Sequence, residues 1–206
     1  MDALVEAARD DGVRDERVLD VIAAVPRSEF VPLELAGLAD VDMPMPIPIP
    51  HGQVTTQPSL VARMIEALSL DGDERVLEIG TGYGWQAALL ARLAREVFSV
   101  ERLDDIAEAA RAALAGRKNV DVVVGDGSEG LPDEAPFEAI LVSAGYPSVP
   151  TPLAEQAADG GRLVQPLGPG GDEDVVLFEK RRGALQTIRS LGGAHFVRLH
   201  GRHGFA

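Results

Sequence analysis

Apolar and polar positions follow two alternating patterns from residue 58 onward. One is helical spacing, as in PSLVARMIEAL, and the other is a short apolar run, as in RVLEIG. Further helices are predicted at WQAALLARLA, LDDIAEAARAALAG and PTPLAEQAADG, and further strands at VFSVE, VDVVVGDG, FEAILVSAG, GRLVQPLG, EDVVLFEKR, ALQTIRSL and HFVRL. Because strands alternate with helices, the pattern predicts an α/β fold with a doubly wound, mostly parallel sheet. The late run of strands predicts an antiparallel C-terminal hairpin at one edge.

The first quarter of the chain has a different pattern. Residues 2–24 predict two short helices, the second ending near Val25-Pro26 because proline disfavours helix before it. Within residues 26–58, MPMPIPIP alternates proline with apolar residues and is expected to be extended. So long a connection is typical of a lid or binding wall, and equally of a packed arm over the sheet. We expect residues 1–57 to form helices and a Pro-rich arm covering the active site, and residues 58–206 the core of one compact domain.

Composition narrows the classes of protein. The 206 residues contain no cysteine, which excludes disulfides, thiolate zinc sites and cysteine nucleophiles. The net charge of −14 disfavours nucleic acid, whose phosphates need a basic face. No stretch approaches the roughly 18 apolar residues of a membrane span, and the acidic N-terminus is unlike a signal peptide. We expect a cytoplasmic monomer that acts without nucleic acid, membrane or metal.

A strand, a glycine turn and a helix are predicted in VLEIGTGYGW, residues 76–85. Ligands of such sheets bind at the carboxyl ends of the strands, where glycines permit close backbone approach. The glycines have the spacing G-x-G-x-G, and Trp85 stands where the dinucleotide fingerprint has its third glycine. This spacing disfavours NAD and favours a nucleoside cofactor without a pyrophosphate. Glu78 inside the run is expected to accept a hydrogen bond from a cationic amino group.

Two more carboxylates end the following strands. Glu101 is placed to accept from both ribose hydroxyls, and Asp126 to accept from an adenine amine. Singly, such residues are more often solvated caps, but three at successive strand ends around a glycine loop predict S-adenosyl-L-methionine as the cofactor. The expected cofactor-binding residues are Glu78, Gly80, Thr81, Gly82, Gly84, Glu101, Arg102, Asp126 and Gly127.

The motifs, taken in order, resemble those of the protein-L-isoaspartate (D-aspartate) O-methyltransferase family over nearly the whole chain. They are VPRSEFVP, GQVTTQPSLVARMIEAL, VLEIGTGYGWQAALLARLA, VFSVER, NVDVVVGDGSEG, APFEAILVSAG and GGRLVQPLG. The resemblance implies a class I, Rossmann-like methyltransferase. It also implies methyl transfer from S-adenosyl-L-methionine to the free α-carboxylate of isoaspartyl residues, with S-adenosyl-L-homocysteine as product. The methyl ester closes to a succinimide, which starts protein repair, so isoaspartyl proteins and peptides are the expected partners.

The family segment Gly-Gln-Thr-x-Ser-x-Pro, whose hydroxyl lies beside the methyl acceptor, is altered in this chain. Thr56 replaces the serine and Val54 the threonine, with Thr55 between them. We expect Thr56 to be the acceptor-side hydroxyl, with Thr55 second, and Thr56 or Gln57 to cap the helix that begins near Pro58. The expected catalytic residues are Thr56 and Thr55, and the expected substrate-binding residues are Val54, Thr55, Thr56, Ser143, Ala144 and Arg198.

Two further segments depart from the family pattern. The aromatic residue usual before the family's Leu-Pro-Ile stretch is missing from GLADVDMPMPIPIP, and Arg198 replaces a proline in Phe-Val-Pro-Leu. We hypothesise that Arg198 contacts a substrate carboxylate or a flanking acidic residue. The alternative is a solvated arginine on an edge strand.

No side chain stands out as a general base. His51 precedes the threonine segment, while His195, His200 and His203 are expected to lie in a frayed polar tail rather than a metal site. A carboxylate with a pKa of about 4 is already ionised at neutral pH, so its methylation needs no proton removal. The missing base therefore favours a carboxyl acceptor.

Two other functions are compatible with these residues. One is a relative that methylates a normal aspartate of a dedicated peptide during biosynthesis. The other is a module that binds S-adenosyl-L-methionine and has lost transfer activity, for which the altered threonine segment is the only support. Methyl transfer to an isoaspartyl peptide, to an aspartyl peptide or to neither distinguishes the three functions.

Overall fold

The computed structural model describes residues 3–43 and 47–206. Residues 1–2 and 44–46, including part of the predicted extended MPMPIPIP segment, lie outside the described residues. The helices are α1 (Ala3–Asp10), α2 (Glu16–Ala24), α3 (Pro58–Leu68), α4 (Trp85–Leu90), α5 (Asp104–Ala113) and α6 (Thr151–Gln156). The strands are β1 (Pro48–Ile49), β2 (Gln53–Val54), β3 (Arg75–Ile79), β4 (Glu96–Glu101), β5 (Val120–Val124), β6 (Phe137–Val142), β7 (Ala157–Leu167), β8 (Glu173–Arg181) and β9 (Ala184–Ala194).

Within the described ranges, the main sheet has the strand order β5-β4-β3-β6-β7-β8-β9. The first five of these strands run parallel, and β8 and β9 complete an antiparallel edge. The chain moves outward from β3 to β5 and then returns to β6 on the other side of β3. The switch point between β3 and β6 is where ligands bind in sheets of this kind. The predicted doubly wound sheet with an antiparallel C-terminal hairpin is confirmed.

Alternation along the central strands gives the sheet two buried faces. In β3, Val76 packs into the cluster that includes α1 to α4, whereas Leu77 packs into the opposite cluster. In β6, Leu141 and Ile140 divide in the same way. Because successive side chains of a strand point to opposite faces, a strand covered on both sides is apolar at most of its positions. The sheet is thereby fixed beneath the glycine turn.

Helices α1 and α2 pack against one face of α3. The predicted apolar side of α2, formed by Val18, Leu19, Val21 and Ile22, is buried. Short 3-10 helices follow at Arg27–Glu29, a single turn, and at Leu33–Leu38, two turns. The described end of the Pro-rich segment is extended, since Pro48–Ile49 pairs antiparallel with Gln53–Val54. This short hairpin brings the threonine segment toward the main sheet.

Two predicted elements differ in the structure. The helix predicted to reach Gly160 ends at Gln156, and Ala157 already pairs with Phe137 as the start of β7. The Lys180 ammonium donates to the backbone oxygen of Ala157, which fixes this residue in the sheet. The prediction was wrong because pairing with β6 outweighs local helix preference. The strand predicted at HFVRL is reduced to an isolated bridge between Arg198 and Gly145.

Candidate active site

The glycine turn follows β3 at the switch point of the sheet. Gly80, Gly82 and Gly84 have φ angles of 93°, 52° and 90°, a region that residues with a Cβ rarely adopt. A Cβ on Gly82 would lie 3.2 Å from Ile49 Cδ1, and one on Gly84 would lie 3.1 Å from Leu114 Cδ1. The turn therefore requires glycine both for its backbone angles and for close packing. It leaves the N-terminus of α4 facing an open cleft.

The main cleft lies between the glycine turn and the N-terminal arm. It is open to solvent and has a volume of about 700 Å³. A second opening of about 430 Å³ adjoins it through shared residues such as Glu101 and Ser143. Among the predicted site residues, the main cleft is lined by Val54, Thr55, Thr56, Gly80, Thr81, Gly82, Gly84, Glu101 and Ser143. The second opening adds Arg102, Gly127, Ala144 and Arg198. The structure thus brings together most of the residues predicted for cofactor and acceptor.

Glu101 is held in place at the end of β4. Its Oε2 accepts from the Gly82 N–H at 3.1 Å, and its Oε1 accepts from the Leu103 N–H at 3.2 Å. The two backbone donors fix the carboxylate against the glycine turn while it still lines the cleft. A carboxylate has about four acceptor positions, so capacity remains for ligand hydroxyls. Its predicted ribose contact stays a prediction.

Glu78 lies beneath the turn and does not line the main cleft. Its side chain is fully buried and accepts hydrogen bonds from Gln86 Nε2 at 2.9 Å and from Ser99 Oγ. Burial raises the pKa of Glu78 to about 7, against the opposing effect of these hydrogen bonds. Because the carboxylate is fully buried and does not line the main cleft, the predicted contact with an amino group requires a rearrangement of its surroundings.

Gln86 is a cleft residue that the sequence patterns did not single out. Its Nε2 also donates to Ser143 Oγ at 2.9 Å, which links α4 to the end of β6. Its Oε1 is buried without a hydrogen-bond partner among the described residues, although the side chain lines the cleft. An unsatisfied buried acceptor is costly, and a ligand donor would satisfy it. The position offers no glycine, charge or motif, so sequence alone gave no signal for it.

Asp126 faces a third opening, beside the C-terminal residues. Its Oδ1 accepts from the Ser128 backbone and hydroxyl at 2.9 and 2.7 Å, and its Oδ2 accepts from the Arg202 N–H at 2.7 Å. Burial raises the pKa of Asp126, but these hydrogen bonds outweigh burial and lower it overall. The predicted adenine acceptor is therefore an ionised carboxylate whose surroundings include the C-terminal turn.

The C-terminal histidines are held by specific contacts. His200 Nδ1 lies 2.9 Å from the Ala206 backbone oxygen, and the His203 N–H donates to Ser128 Oγ at 2.9 Å. His195 Nδ1 contacts the Gly171 backbone oxygen. The expectation of a frayed tail was wrong, because the turn is tied to Asp126 and Ser128. Within residues 3–43 and 47–206, no group of three or more potential metal ligands is arranged to hold a metal ion.

His51 is on the outside of the arm. Its Nε2 lies 2.9 Å from Asp105 Oδ2, with both side chains more than half exposed. This contact lowers the pKa of Asp105. His51 is absent from the lining of the main cleft, so the structure places it away from the acceptor side.

The two threonines have different surroundings. Thr55 Oγ1 accepts from Arg27 NH2 at 2.8 Å and from the Ile47 N–H at 3.2 Å, so its hydroxyl holds the arm together. The Thr56 hydroxyl makes no hydrogen bond within the described part of the chain, and Thr56 lines the main cleft. Thr56 is therefore the threonine with a hydroxyl available to a substrate.

Helix α3 begins at Pro58 as predicted, but its cap is supplied from elsewhere. Gln57 is the N-cap residue and makes no side-chain cap bond. Asp42 accepts from the Ser59 N–H at 2.8 Å and from Gln57 Nε2 at 2.8 Å. The prediction of a cap from Thr56 or Gln57 was wrong, because this distant carboxylate occupies the helix N-terminus.

The two arginines of the cleft region differ in burial. Arg198, predicted to contact substrate, is exposed, with its guanidinium 5.0 Å from the centre of the Phe205 ring. Arg27 is only 4% exposed and lies 5.5 Å from the centre of a Trp85 ring, at the wall of the main cleft. Arg27 was not singled out from the sequence, because burial of a cation has no local pattern.

A glycine turn at the switch point of a doubly wound sheet, with a carboxylate at the end of the next strand, defines a Rossmann-like protein that binds a nucleoside cofactor. The particular family follows from the match of residues 1–204 to the family model described as Protein-L-isoaspartate(D-aspartate) O-methyltransferase (PCMT). The chain belongs to this family. The resemblance seen in the motifs is thereby confirmed.

Relatives support this membership over nearly the whole chain. Proteins named protein-L-isoaspartate O-methyltransferase from Methanoculleus marisnigri and Myxococcus xanthus are 51% and 47% identical to it. The alignments span 94% and 93% of this chain, and 88% and 92% of the relatives.

Two solved structures have a similar fold. A structure described as protein-L-isoaspartate O-methyltransferase has a TM-score of 0.83 with this chain at 29% sequence identity. The match covers 98% of this chain and 66% of that one. A Plasmodium falciparum structure described with that activity, in complex with S-adenosyl-L-homocysteine, has a TM-score of 0.80 at 21% identity, with 97% of both chains covered. The second likeness bears on the fold alone.

Proposed function

We propose that this chain transfers a methyl group from S-adenosyl-L-methionine to the free α-carboxylate of L-isoaspartyl residues in damaged proteins, with S-adenosyl-L-homocysteine as the other product. The methyl ester then closes to a succinimide, which starts repair. The observation that carries the proposal is that the glycine turn and the available hydroxyl of Thr56 face the same cleft.

The residues of the cleft fit an adenosyl cofactor. The glycine turn leaves room for close approach, Glu101 keeps free acceptor capacity, and Gln86 offers an unsatisfied buried oxygen. We assign the ribose to Glu101 and the adenine to the two neighbouring openings, of which the second contains Gly127 and the third contains Asp126. When bound, S-adenosyl-L-methionine supplies an electrophilic methyl group on its sulfonium.

The protein's own contribution is to orient the acceptor and to exclude water. Thr56 donates its hydroxyl hydrogen to the acceptor carboxylate, while Val54 and Phe30 form apolar wall beside it. Holding two reactants in alignment can lower a barrier by about 7–11 kcal/mol. No proton has to be removed from an ionised carboxylate, in keeping with a buried Glu78 and a surface His51.

The direct test uses three peptides of one sequence that carry L-isoaspartate, aspartate or asparagine at a single position. With radiolabelled S-adenosyl-L-methionine, we expect base-labile label on the isoaspartyl peptide alone. Label on the aspartyl peptide would favour the biosynthetic alternative. Label on none, with cofactor binding retained, would contradict enzymatic transfer to these acceptors.

Several features of the proposal concern the whole protein. Residues 1–57 act as an arm that covers the active site. This role is supported by the presence of Ile49 and Gln53 in the wall of the cleft.

The enzyme acts as a cytoplasmic monomer on isoaspartyl proteins and peptides, with no nucleic-acid or membrane partner. Among the described residues, no helix is long and apolar enough to cross a membrane. Gel filtration with light scattering tests the monomer.

A further inference from the structure

The acceptor side of the cleft contains a buried cation without a counter-ion. The Arg27 side chain donates to three neutral oxygens: Thr55 Oγ1 at 2.8 Å, the Ala39 backbone at 3.3 Å and the Thr56 backbone at 3.5 Å. Within the part of the chain that the structure describes, no carboxylate lies within 4.0 Å of it. An unpaired buried charge carries a large desolvation cost, so its retention needs a reason.

Two acidic residues of the N-terminal arm compensate this charge only in part. Asp40 and Asp42 attract Arg27 only through longer-range electrostatics. Both oxygens of Asp42 are already engaged by α3 and Gln57. Burial lowers the pKa of Arg27 to about 10, so the guanidinium is still charged at neutral pH.

Arg27 also stands where two openings meet. It lines the main cleft together with Thr56, and the same two residues line an adjoining apolar pocket. The Trp85 ring supports the guanidinium on one side, and the Trp85 indole N–H is anchored to the Val25 backbone oxygen at 3.1 Å. The cation is therefore held rigidly, with Nε–H and one NH1 hydrogen not used by any described acceptor.

We propose that Arg27 is a substrate-binding residue that holds the isoaspartyl carboxylate beside Thr56 as its counter-charge. This inference rests on the proposed function and adds a residue to its acceptor site. A protein of net charge −14 repels an anionic acceptor at long range, and a fixed local cation reverses that repulsion inside the cleft. The substrate anion in turn supplies the ion pair that Arg27 lacks.

The change of charge on the acceptor oxygen predicts how the loss of Arg27 affects KM and kcat. Methyl transfer joins an anionic oxygen to a cationic methyl donor, so charge on the acceptor falls as the bond forms. A cation beside that oxygen stabilises the bound carboxylate at least as much as the transition state. Arg27→Gln is therefore expected to raise KM for an isoaspartyl peptide more than it lowers kcat.

The decisive experiment varies the charge of protein and ligand together. Enzyme saturated with S-adenosyl-L-homocysteine is titrated calorimetrically with an isoaspartyl peptide and with the same peptide whose α-carboxyl is a carboxamide. The wild type is expected to prefer the carboxylate by about 10- to 100-fold, the range of a charge-assisted hydrogen bond. Arg27→Gln is expected to lose most of this preference, and Arg27→Lys to keep part of it.

A control variant separates charge from structure. Arg117 is a partly buried arginine that also lies over an aromatic ring, 5.1 Å from Phe30, and Arg117→Gln is expected to leave the preference unchanged.

The outcomes are separable. An undiminished carboxylate preference in Arg27→Gln would overturn the inference. If Arg27→Gln does not fold, a wild-type enzyme that binds the carboxamide as tightly as the carboxylate would overturn it equally. Failure of the wild type to methylate isoaspartyl peptides would instead contradict the proposed function.

Discussion

The two sides of the main cleft are built by different kinds of interaction. On the cofactor side, backbone angles of the glycine turn and backbone donors to Glu101 set the geometry. On the acceptor side, side chains from separate segments hold the wall, with Arg27 bound to Thr55 and Asp42 bound to α3. The cofactor side is therefore fixed by the sheet itself, whereas the acceptor side depends on a few replaceable side chains. Changes to the arm should therefore alter acceptor binding without altering cofactor binding.

The largest expected effect concerns Glu78, beneath the cofactor side. Its folded pKa of about 7 lies above the ordinary value of 4.5, so the folded state keeps a proton that the unfolded state loses in this window. The free energy of unfolding therefore falls as pH rises from 4.5 to about 7, by on the order of 3 kcal/mol in all. Glu78→Gln has no titrating group at this position, so we expect its free energy of unfolding not to show this fall. Urea unfolding of the wild type and the variant at several pH values in that window measures the difference.

Glu78→Gln also tests the cofactor contact. Because Glu78 does not line the main cleft, the variant is expected to bind S-adenosyl-L-homocysteine within about threefold of the wild type. A large loss of affinity at constant fold would instead support the contact with an amino group expected from the sequence.

The next effect concerns the glycine turn. Gly82→Val places a side chain at φ 52° and 3.2 Å from Ile49, and we expect the Kd for S-adenosyl-L-homocysteine to rise by about 100-fold or more. The matched control is Gly72→Val, which also has a positive φ, of 106°, but no neighbour within 4 Å of its Cβ. Calorimetric titration of both variants separates backbone strain from loss of the binding surface. Equal effects would contradict the role of the turn.

Thr56 tests the acceptor side. Thr56→Val removes the available hydroxyl while keeping the shape, and we expect kcat/KM for an isoaspartyl peptide to fall by about 10-fold or more. Thr56→Ser restores the hydroxyl and is expected to retain activity. Cofactor affinity, measured in parallel, should not change in either variant. Full activity in Thr56→Val with intact folding would remove Thr56 from the site.

The smallest expected effect concerns the cap of α3. Asp42→Ala is expected to lower the free energy of unfolding by about 1 kcal/mol and to raise KM for the peptide modestly, because Asp42 fixes the entry to α3 beside Thr56. The control is Asp40→Ala, at an exposed residue that also acts electrostatically on Arg27 but does not cap α3. Equal losses of stability would show that charge, rather than the cap, is responsible.

This difference between the two sides also explains what sequence could reveal. The glycine turn and Glu101 are local features at strand ends, so their patterns predicted both their positions and their shared cleft. Arg27, Gln86 and Asp42 contact Thr55, Ser143 and Gln57, which are 28, 57 and 15 residues away, and no local pattern encodes such contacts. The same reason applies to the fold. Most strands follow from apolar runs, whereas the start of β7 at Ala157 depends on pairing with Phe137 across the sheet.

The central claim is that one cleft holds the cofactor on the glycine turn and the acceptor carboxylate on the arm. A crystal structure of the protein with S-adenosyl-L-homocysteine and an isoaspartyl peptide tests this claim most directly. We expect S-adenosyl-L-homocysteine to lie against Gly80 to Gly84 with its ribose on Glu101, and the isoaspartyl carboxylate to lie within hydrogen-bond distance of Thr56 and Arg27. A peptide carboxylate bound away from these two residues, with the product in the cleft, would contradict it.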